Sequence, residues 1–159
     1  MDSPLFTNIH VAISLIGILT GLVVMQGLLT ARRYGVVTAI FLFFTVLTSA
    51  TGYGFHRAHI MPSHIVGAIS LVVLALALAA LYGFHLRGAW RAAYVVAAVL
   101  AEYLNVFVLV VQSFLKVPAL HALAPTGTTE PAFVAAQGAA LVIFVVIGFL
   151  GLRRFRPMP

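Results

Sequence analysis

The chain consists largely of five long apolar stretches separated by short polar connections. The stretches are continuously apolar, and they cover residues 10–30, 35–55, 63–85, 89–115 and 131–152. Crossing the hydrocarbon core of a bilayer takes about 20 apolar residues in a helix, and each stretch reaches that length. A transmembrane strand would instead alternate apolar and polar residues over about ten positions. The pattern predicts an all-α, polytopic membrane protein with five transmembrane helices in one domain, residues 1–159.

The composition supports this interpretation and excludes several kinds of site. Hydrophobic residues make up 63% of the chain and charged residues 8%, whereas a soluble domain carries about 25% charged residues. The sequence contains no cysteine, which excludes disulfides, iron–sulfur clusters, thiolate zinc sites and cysteine nucleophiles. The partner indicated by the composition is therefore the lipid bilayer.

The net charge of +6 is explained by membrane topology, without nucleic acid as a partner. In a five-helix arrangement the connections alternate between the two sides, and one side receives seven arginines against Arg57 and Lys116 on the other. The positive-inside rule then predicts an N-terminus outside and a cytoplasmic C-terminus in a multi-pass protein of the cell inner (plasma) membrane. The seven are Arg32, Arg33, Arg87, Arg91, Arg153, Arg154 and Arg156.

Small and hydroxyl-bearing residues mark the faces by which the first two helices are expected to pack. Helices in lipid associate through close packing and interhelical hydrogen bonds. In the first helix these residues fall four, three and four positions apart, and in the second they cluster near its end. Gly17 and Gly21 form a small-xxx-small pair, for which we expect packing within one bundle, with a dimer interface as the alternative. The residues are His10, Ser14, Gly17 and Gly21, followed by Thr45, Thr48, Ser49 and Gly52.

A polar stripe on the fourth helix is the most unusual chemistry predicted inside the membrane. Its members, spaced to share one face, are Glu102, Asn105, Gln112 and Lys116. An ionised carboxylate at mid-membrane costs at least a few kcal/mol, so Glu102 should be protonated, paired or in contact with water. Such acids are functional candidates. Asn105 and Gln112 have a structural alternative, which is to hydrogen-bond neighbouring helices.

The predicted topology places further polar residues in the outer half of the bundle. These are Gln137 on the fifth helix and His10 and Ser14 on the first. If their faces converge with the polar stripe, they form a pocket that opens outwards and holds a small molecule or an ion. The expected ligand or ion pocket is Glu102, Asn105, Gln112, Gln137, His10 and Ser14.

The histidines suggest a second class of site. Three imidazoles and the thioether of Met61 fall within residues 56–64, and nitrogen with thioether ligands suits copper, while imidazole alone suits zinc or nickel. Histidines at helix ends also serve as axial ligands of haem b. The candidate haem or transition-metal ligands are His10, His56, His59 and His64. A structural or pH-responsive role is the alternative for most of them.

Short motifs along most of the chain resemble a family of small bacterial integral membrane proteins of uncharacterised activity. The resemblance implies a bacterial inner-membrane location and no particular activity or site. Glu102 and the histidines near Phe55 depart from the family pattern. The motifs are Ser49–Gly52, Pro62–Gly67, Gly88–Arg91, Tyr103–Leu120, Leu123–Thr126, Glu130–Phe133 and Arg154–Pro157. In helix number and size the chain is also similar to translocator proteins, a likeness of architecture only.

These observations favour a non-enzymatic membrane protein that binds or passes a small molecule or ion through an outward-facing polar pocket on the fourth helix. No catalytic residue is predicted, because the sequence has no serine–histidine–acid order, phosphate loop or acid pair. Two alternatives stay open. One is a haem- or metal-binding redox protein that uses the outer histidines, and the other is an accessory subunit of a larger membrane complex or a homo-oligomer.

Overall fold

Residues 3–55 and 62–156 are described by the computed structural model of the chain, with only the backbone described at Pro62 and Ser63. Within these ranges the protein is built from helices and contains no strand. Five helices are long and apolar enough to cross a membrane, which confirms the predicted fold class. The helices are α1 (Pro4–Thr30), α2 (Gly35–Gly52), α3 (Pro62–Leu78), α4 (Ala89–Lys116), the single turn α5 (Pro118–His121) and α6 (Pro131–Arg154).

Helix α1 begins six residues before the predicted start at residue 10. Ser3 caps it, because the side-chain oxygen accepts a hydrogen bond from the backbone N–H of Phe6 at 3.3 Å. Pro4 suits the first helical position, where its missing N–H is not needed. Because Thr7 and Asn8 are polar, the hydropathy pattern does not indicate this extension. With 27 residues, α1 is about 40 Å long and therefore exceeds the hydrocarbon thickness of a bilayer.

The predicted third helix, residues 63–85, ends differently. After Leu78 the chain continues as a π-helical turn, Ala79–Gly83. Positive backbone φ angles at His85, Leu86 and Gly88 then reverse its direction. The rings of Phe84 and Trp90 stack across this reversal with their centroids 3.8 Å apart. The connection between α3 and α4 is thus short and tightly folded.

Helix α4 lies at the centre of the bundle and packs against α1, α3 and α6. Its inward face is lined by small residues, of which Ala98 and Ala101 are fully buried, so neighbouring helices approach its backbone closely. Phe41 and Leu42 of α2 and Leu74 of α3 complete the apolar core around it. The outward faces of all five spanning helices carry exposed large apolar side chains, as expected for contact with lipid.

The two ends of the bundle differ in chemistry. The arginine-rich end is the end where α1 and α6 finish and α2 and α4 begin. At this end Arg91 Nη1 donates to the backbone oxygens of Leu152 at 3.0 Å and Phe155 at 2.8 Å. The opposite, histidine-bearing end carries His10 near the start of α1 and His64 near the start of α3. The assignment of the arginine-rich end to the cytoplasm stays a prediction from the charge pattern.

Candidate functional site

A carboxyl group, an amide and a hydroxyl meet between α1, α2 and α4, halfway along α4. Asn105 Nδ2 donates to Glu102 Oε2 at 3.3 Å and to Thr45 Oγ1 at 3.2 Å. Glu102 and Thr45 are each 0% exposed, which places the group inside the bundle. These three residues and the adjoining backbone of Gly21 are called the Glu102 cluster. It joins the acid and amide predicted from the polar stripe with a threonine whose predicted role was packing.

Gly21 provides the space in which the carboxyl group lies. A methyl group on Gly21 would stand 2.9 Å from Glu102 Oε1 and closer still to Oε2 and the carboxyl carbon. Gly17, one turn away, faces Thr45, and a methyl group there would be 3.3 Å from the threonine hydroxyl. Both glycines are buried. The small residues of α1 therefore contact the polar groups of α2 and α4 within the bundle.

One oxygen of the Glu102 carboxyl group has no hydrogen-bond partner. Oε1 is buried and unpaired, whereas Oε2 accepts from Asn105. The hydrogen bond that the carboxyl group accepts comes from the neutral amide of Asn105, and among the described residues Glu102 forms no ion pair. Burying an ionised carboxylate without a counter-charge costs several kcal/mol. The surroundings therefore favour the protonated, neutral form of Glu102. Loss of that proton raises the energy of the whole cluster.

The amide of Asn105 can serve both protonation states of the carboxyl group. Its NH₂ group donates to a carboxylate, and its carbonyl oxygen accepts from the O–H of a carboxylic acid after rotation of the amide. Thr45 Oγ1 likewise both donates and accepts. The two polar side chains beside the acid, Asn105 and Thr45, can therefore adapt to the presence or absence of a proton.

Polar side chains continue from the cluster towards the histidine-bearing end. His10 Nδ1 lies 2.8 Å from Thr51 Oγ1, and the Thr51 hydroxyl donates to the backbone oxygen of Leu47 at 2.7 Å. With the Thr51 hydroxyl directed at Leu47, Nδ1 of His10 donates to Thr51 Oγ1 and Nε2 is the ring nitrogen left to accept a proton. The imidazole also lies against the edge of the Phe55 ring, with centroids 5.0 Å apart.

The antiparallel register of α1 and α2 places the remaining hydroxyls between these two contacts. Gly17 faces Thr45 and His10 faces Thr51, so Ser14 and Thr48 fall at the intermediate level. Ser14 Oγ donates to the backbone oxygen of His10 at 2.6 Å, and the buried Thr48 Oγ1 has no partner. The set is called the polar column; it comprises His10, Thr51, Ser14, Thr48 and Thr45, and it ends at Glu102.

On the other side of Glu102 the bundle is apolar. Phe41, Leu42 and Val95 are at most 1% exposed and fill the space towards the arginine-rich end. The next buried polar groups are Thr38 and Tyr94, which line a small cavity of about 10 Å³. Tyr94 precedes Glu102 by eight residues, about 12 Å along a helix. Polar side chains therefore lie between Glu102 and the histidine-bearing end, whereas apolar side chains lie on the other side of Glu102.

Two of the predicted pocket residues, Gln112 and Gln137, lie in neither the Glu102 cluster nor the polar column. Gln112 is exposed. Helix α2 contacts α4 where Thr45 meets Asn105, but it ends at Gly52, which lies level with Gln112. Helix α2 therefore does not cover Gln112. Gln137 Nε2 donates to the backbone oxygen of Phe107 at 3.0 Å, and its Oε1 is buried without a partner. Gln137 therefore joins α6 to α4 away from Glu102. The predicted convergence of these two amides with Glu102 and Asn105 is corrected by this geometry.

The predicted histidine ligands are only partly described. His56 and His59 lie outside the described residues. His64 stacks on Tyr53, with ring centroids 5.4 Å apart, and its backbone oxygen accepts from the Tyr53 hydroxyl at 2.6 Å. Over residues 3–55 and 62–156, no three His, Cys, Asp or Glu side chains come together in a group that could hold a metal ion. Ligation of haem or metal by His10, His56, His59 and His64 stays a prediction.

Sequence reasoning missed Thr51 and the polar role of Thr45. The signal that would have found them is the pairing of two spacings: residues 10, 14 and 17 on the first helix, and 51, 48 and 45 on the second, which match in an antiparallel hairpin. Comparison of the chain with models of protein families, with curated proteins and with solved structures gives no match. The function is therefore inferred from the geometry of the site.

Proposed function

We propose that this protein binds a proton at Glu102 in the middle of the membrane and passes it along the polar column. The observation that carries the proposal is the fully buried carboxyl group, of which one oxygen lacks any partner. Ionisable groups within membrane spans are costly, and proton relays are one of the functions that retain them. Of the small molecules and ions expected from the sequence, the proton is the one that this site fits best.

The tight packing around the carboxyl group supports the choice of a proton. Because even one added methyl group on Gly21 would collide with Glu102, a ligand larger than a proton has no space between α1 and the acid in this conformation. A proton needs no cavity, since it binds on the carboxylate oxygen itself. The adaptable amide and hydroxyl of Asn105 and Thr45 allow the exchange without rebuilding the site.

The direction of exchange follows from the two halves of the bundle. Towards the histidine-bearing end, Glu102 adjoins the polar column, in which hydroxyls and an imidazole both donate and accept hydrogen bonds. Towards the arginine-rich end, Phe41 and Leu42 seal the interior. The proton therefore enters and leaves Glu102 from the His10 side, which requires the Thr48 hydroxyl, unpartnered in this conformation, to form hydrogen bonds within the column. Release to the other side requires a rearrangement of the apolar half.

A purely structural role for the acid is the competing explanation, and a substitution separates the two. Glu102→Gln keeps the size of the side chain and an oxygen acceptor for Asn105, but it cannot bind and release a proton. Glu130→Gln makes the same chemical change in the connection before α6, where Glu130 accepts from the Thr126 hydroxyl. The loop variant is the matched control.

Proton flux into vesicles tests the proposal. The protein is reconstituted with an enclosed pH-sensitive dye, and a potassium diffusion potential drives protons inward. We expect the wild type and Glu130→Gln to acidify the vesicles faster than protein-free lipid, and Glu102→Gln to lose at least about tenfold of that rate, as removal of a proton-transfer group does. Equal rates in the wild type and Glu102→Gln would overturn the proposal.

A further inference from the structure

The small cavity at the arginine-rich end carries a second inference, which is independent of the proton site. It lies where α1 ends and α2 begins, beside α4, and its volume of about 10 Å³ admits about one water-sized atom. Two of its lining residues carry buried hydroxyl groups, since Tyr94 is 2% exposed and Thr38 is 3% exposed. Its apolar lining includes Leu28 of α1 and Phe155, which follows α6.

The connection between α1 and α2 brings Arg32 and Arg33 to the same cavity. Ala31 ends α1 with a left-handed backbone conformation, and the backbone N–H of Arg32 then donates to the oxygen of Gly27 at 2.9 Å. The contact is close, because a methyl group on Gly27 would stand 2.7 Å from the Arg32 backbone oxygen and 3.2 Å from the Tyr34 ring. The connection is therefore packed against α1, which restricts the positions of both arginines.

The positive charge at the cavity has no counter-charge in the described part of the chain. Neither Arg32 nor Arg33 forms an ion pair or a side-chain hydrogen bond with a described residue, whereas Arg91 at the same end donates to two backbone oxygens. The two described acids are elsewhere: Glu102 lies halfway along α4, and Glu130 precedes α6 at the histidine-bearing end. An anion from outside the protein is therefore the group that the two guanidinium groups can still bind.

The buried hydroxyl groups add a further donor. Tyr94 has the side chain of Thr38 as its hydrogen-bonding neighbour, and Arg33 interacts with the phenol electrostatically. Two hydroxyl groups that bond to each other use only one of their two protons, so one O–H is left to donate. The free polar groups around the cavity are thus donors, and together they match an acceptor that is negatively charged.

We infer that the cavity binds a phosphate group, of which one oxygen accepts from the Tyr94–Thr38 hydroxyl pair and others accept from Arg33 and Arg32. The cavity admits one oxygen atom, and the remaining oxygens stay outside it, where the two arginines are exposed. A guanidinium fork takes up both oxygens of a carboxylate, which leaves none for the cavity, whereas a phosphate has oxygens for both. Free phosphate and the phosphate of a lipid headgroup share this chemistry.

Thermal unfolding in a maltoside detergent, which contains no phosphate, tests this site. A ligand that binds only the folded protein raises the midpoint temperature as its concentration rises above the dissociation constant. In one titration, sodium phosphate is compared with sodium chloride at equal ionic strength. In the other, phosphatidylglycerol is compared with diacylglycerol of the same chain length. The first titration measures binding of free phosphate, and the second measures binding of a lipid headgroup.

Two variants address the two parts of the site. Arg33→Gln removes a charge at an exposed position, and Tyr94→Phe removes the buried hydroxyl group. The matched controls are Arg154→Gln at the end of α6 and Tyr103→Phe on α4, and neither residue lines the cavity. Each variant is compared with itself in the absence of ligand, so that a change in its own stability does not affect the comparison.

We expect the phosphate-bearing addition to raise the midpoint temperature of the wild type above the phosphate-free one in at least one titration. Arg33→Gln should need at least about tenfold more ligand for the same rise, and Tyr94→Phe about threefold more, because hydrogen bonds from charged groups are the stronger ones. The two controls should titrate as the wild type does.

A response to phosphatidylglycerol alone supports the site with a lipid headgroup as its ligand, and a response to sodium phosphate alone supports it with free phosphate. The inference is overturned if neither addition exceeds its phosphate-free counterpart. It is also overturned if Arg33→Gln titrates as the wild type does, or if Arg154→Gln loses as much binding as Arg33→Gln.

Discussion

Gly21 and Glu102 lie in direct contact between α1 and α4, with the carboxyl group occupying the space that any other side chain at position 21 would need. The contact couples the packing of two membrane helices to the position of one acid. It also explains why a carboxyl group is accepted at that depth, because the missing side chain lets it stay beside the backbone and within reach of Asn105. A substitution at either residue should therefore change the packing around the other.

Substitution of Gly21 by alanine should destabilise the bundle. The added methyl group must displace the Glu102 side chain or separate α1 from α4, and overpacking of this kind costs about 1–3 kcal/mol. Thermal unfolding in detergent measures the effect. The matched control is Gly138→Ala on α6, where an added methyl group meets no atom within 4 Å, so little change is expected there. An equal loss of thermal stability in both variants would contradict the close contact between Gly21 and Glu102.

The double variant Gly21→Ala/Glu102→Ala tests the coupling itself. Removing the carboxyl group creates space for the methyl group, so the two substitutions together should cost less than the sum of the single changes. Residues in contact show interaction energies of about 0.5–3 kcal/mol in such cycles. Strict additivity of the three free energies of unfolding would show that the two residues do not touch.

Arg91 should hold the end of α6 against the start of α4. Its guanidinium donates to two backbone oxygens, of Leu152 and Phe155, and hydrogen bonds from charged groups contribute about 1.5–3 kcal/mol each. Arg91→Ala should therefore increase hydrogen exchange and proteolysis in the segment after Gly151. Arg87→Ala removes an exposed arginine from the preceding connection and serves as the control. If that segment kept its protection from hydrogen exchange and proteolysis in Arg91→Ala, the role of Arg91 in holding the end of α6 would be contradicted.

The orientation in the membrane can be tested with introduced cysteines, because the chain has none of its own. Thr128 lies in the connection before α6, and Arg154 ends that helix; both are exposed. In intact cells, an impermeant maleimide should label Thr128→Cys and leave Arg154→Cys unlabelled until the membrane is opened. The reverse labelling pattern would overturn the topology predicted from the arginines.

Hydropathy and spacing were sufficient to predict the five helices, since each has to cover the membrane thickness with apolar residues. The extension of α1 to Pro4 was missed because its first turns carry polar residues and a serine cap. Glu102 and Asn105 were found because polar residues are rare in such helices. Gln112 was placed wrongly because helical spacing gives the face of a residue but not the length of the neighbouring helix. The hydroxyls of α2 lie at the site because of the register between α1 and α2. The residue pattern of one helix does not contain that register.

The infrared absorption of the Glu102 carboxyl group shows whether this residue exchanges a proton. Spectra of the reconstituted protein are recorded over the range of pH in which it stays folded, and the spectra of Glu102→Gln are subtracted to isolate this residue. We expect a carbonyl band of a protonated carboxylic acid that is present in the wild type, absent from Glu102→Gln, and replaced by carboxylate bands as the pH rises. A carbonyl band of Glu102 that stays constant over the whole range would contradict it.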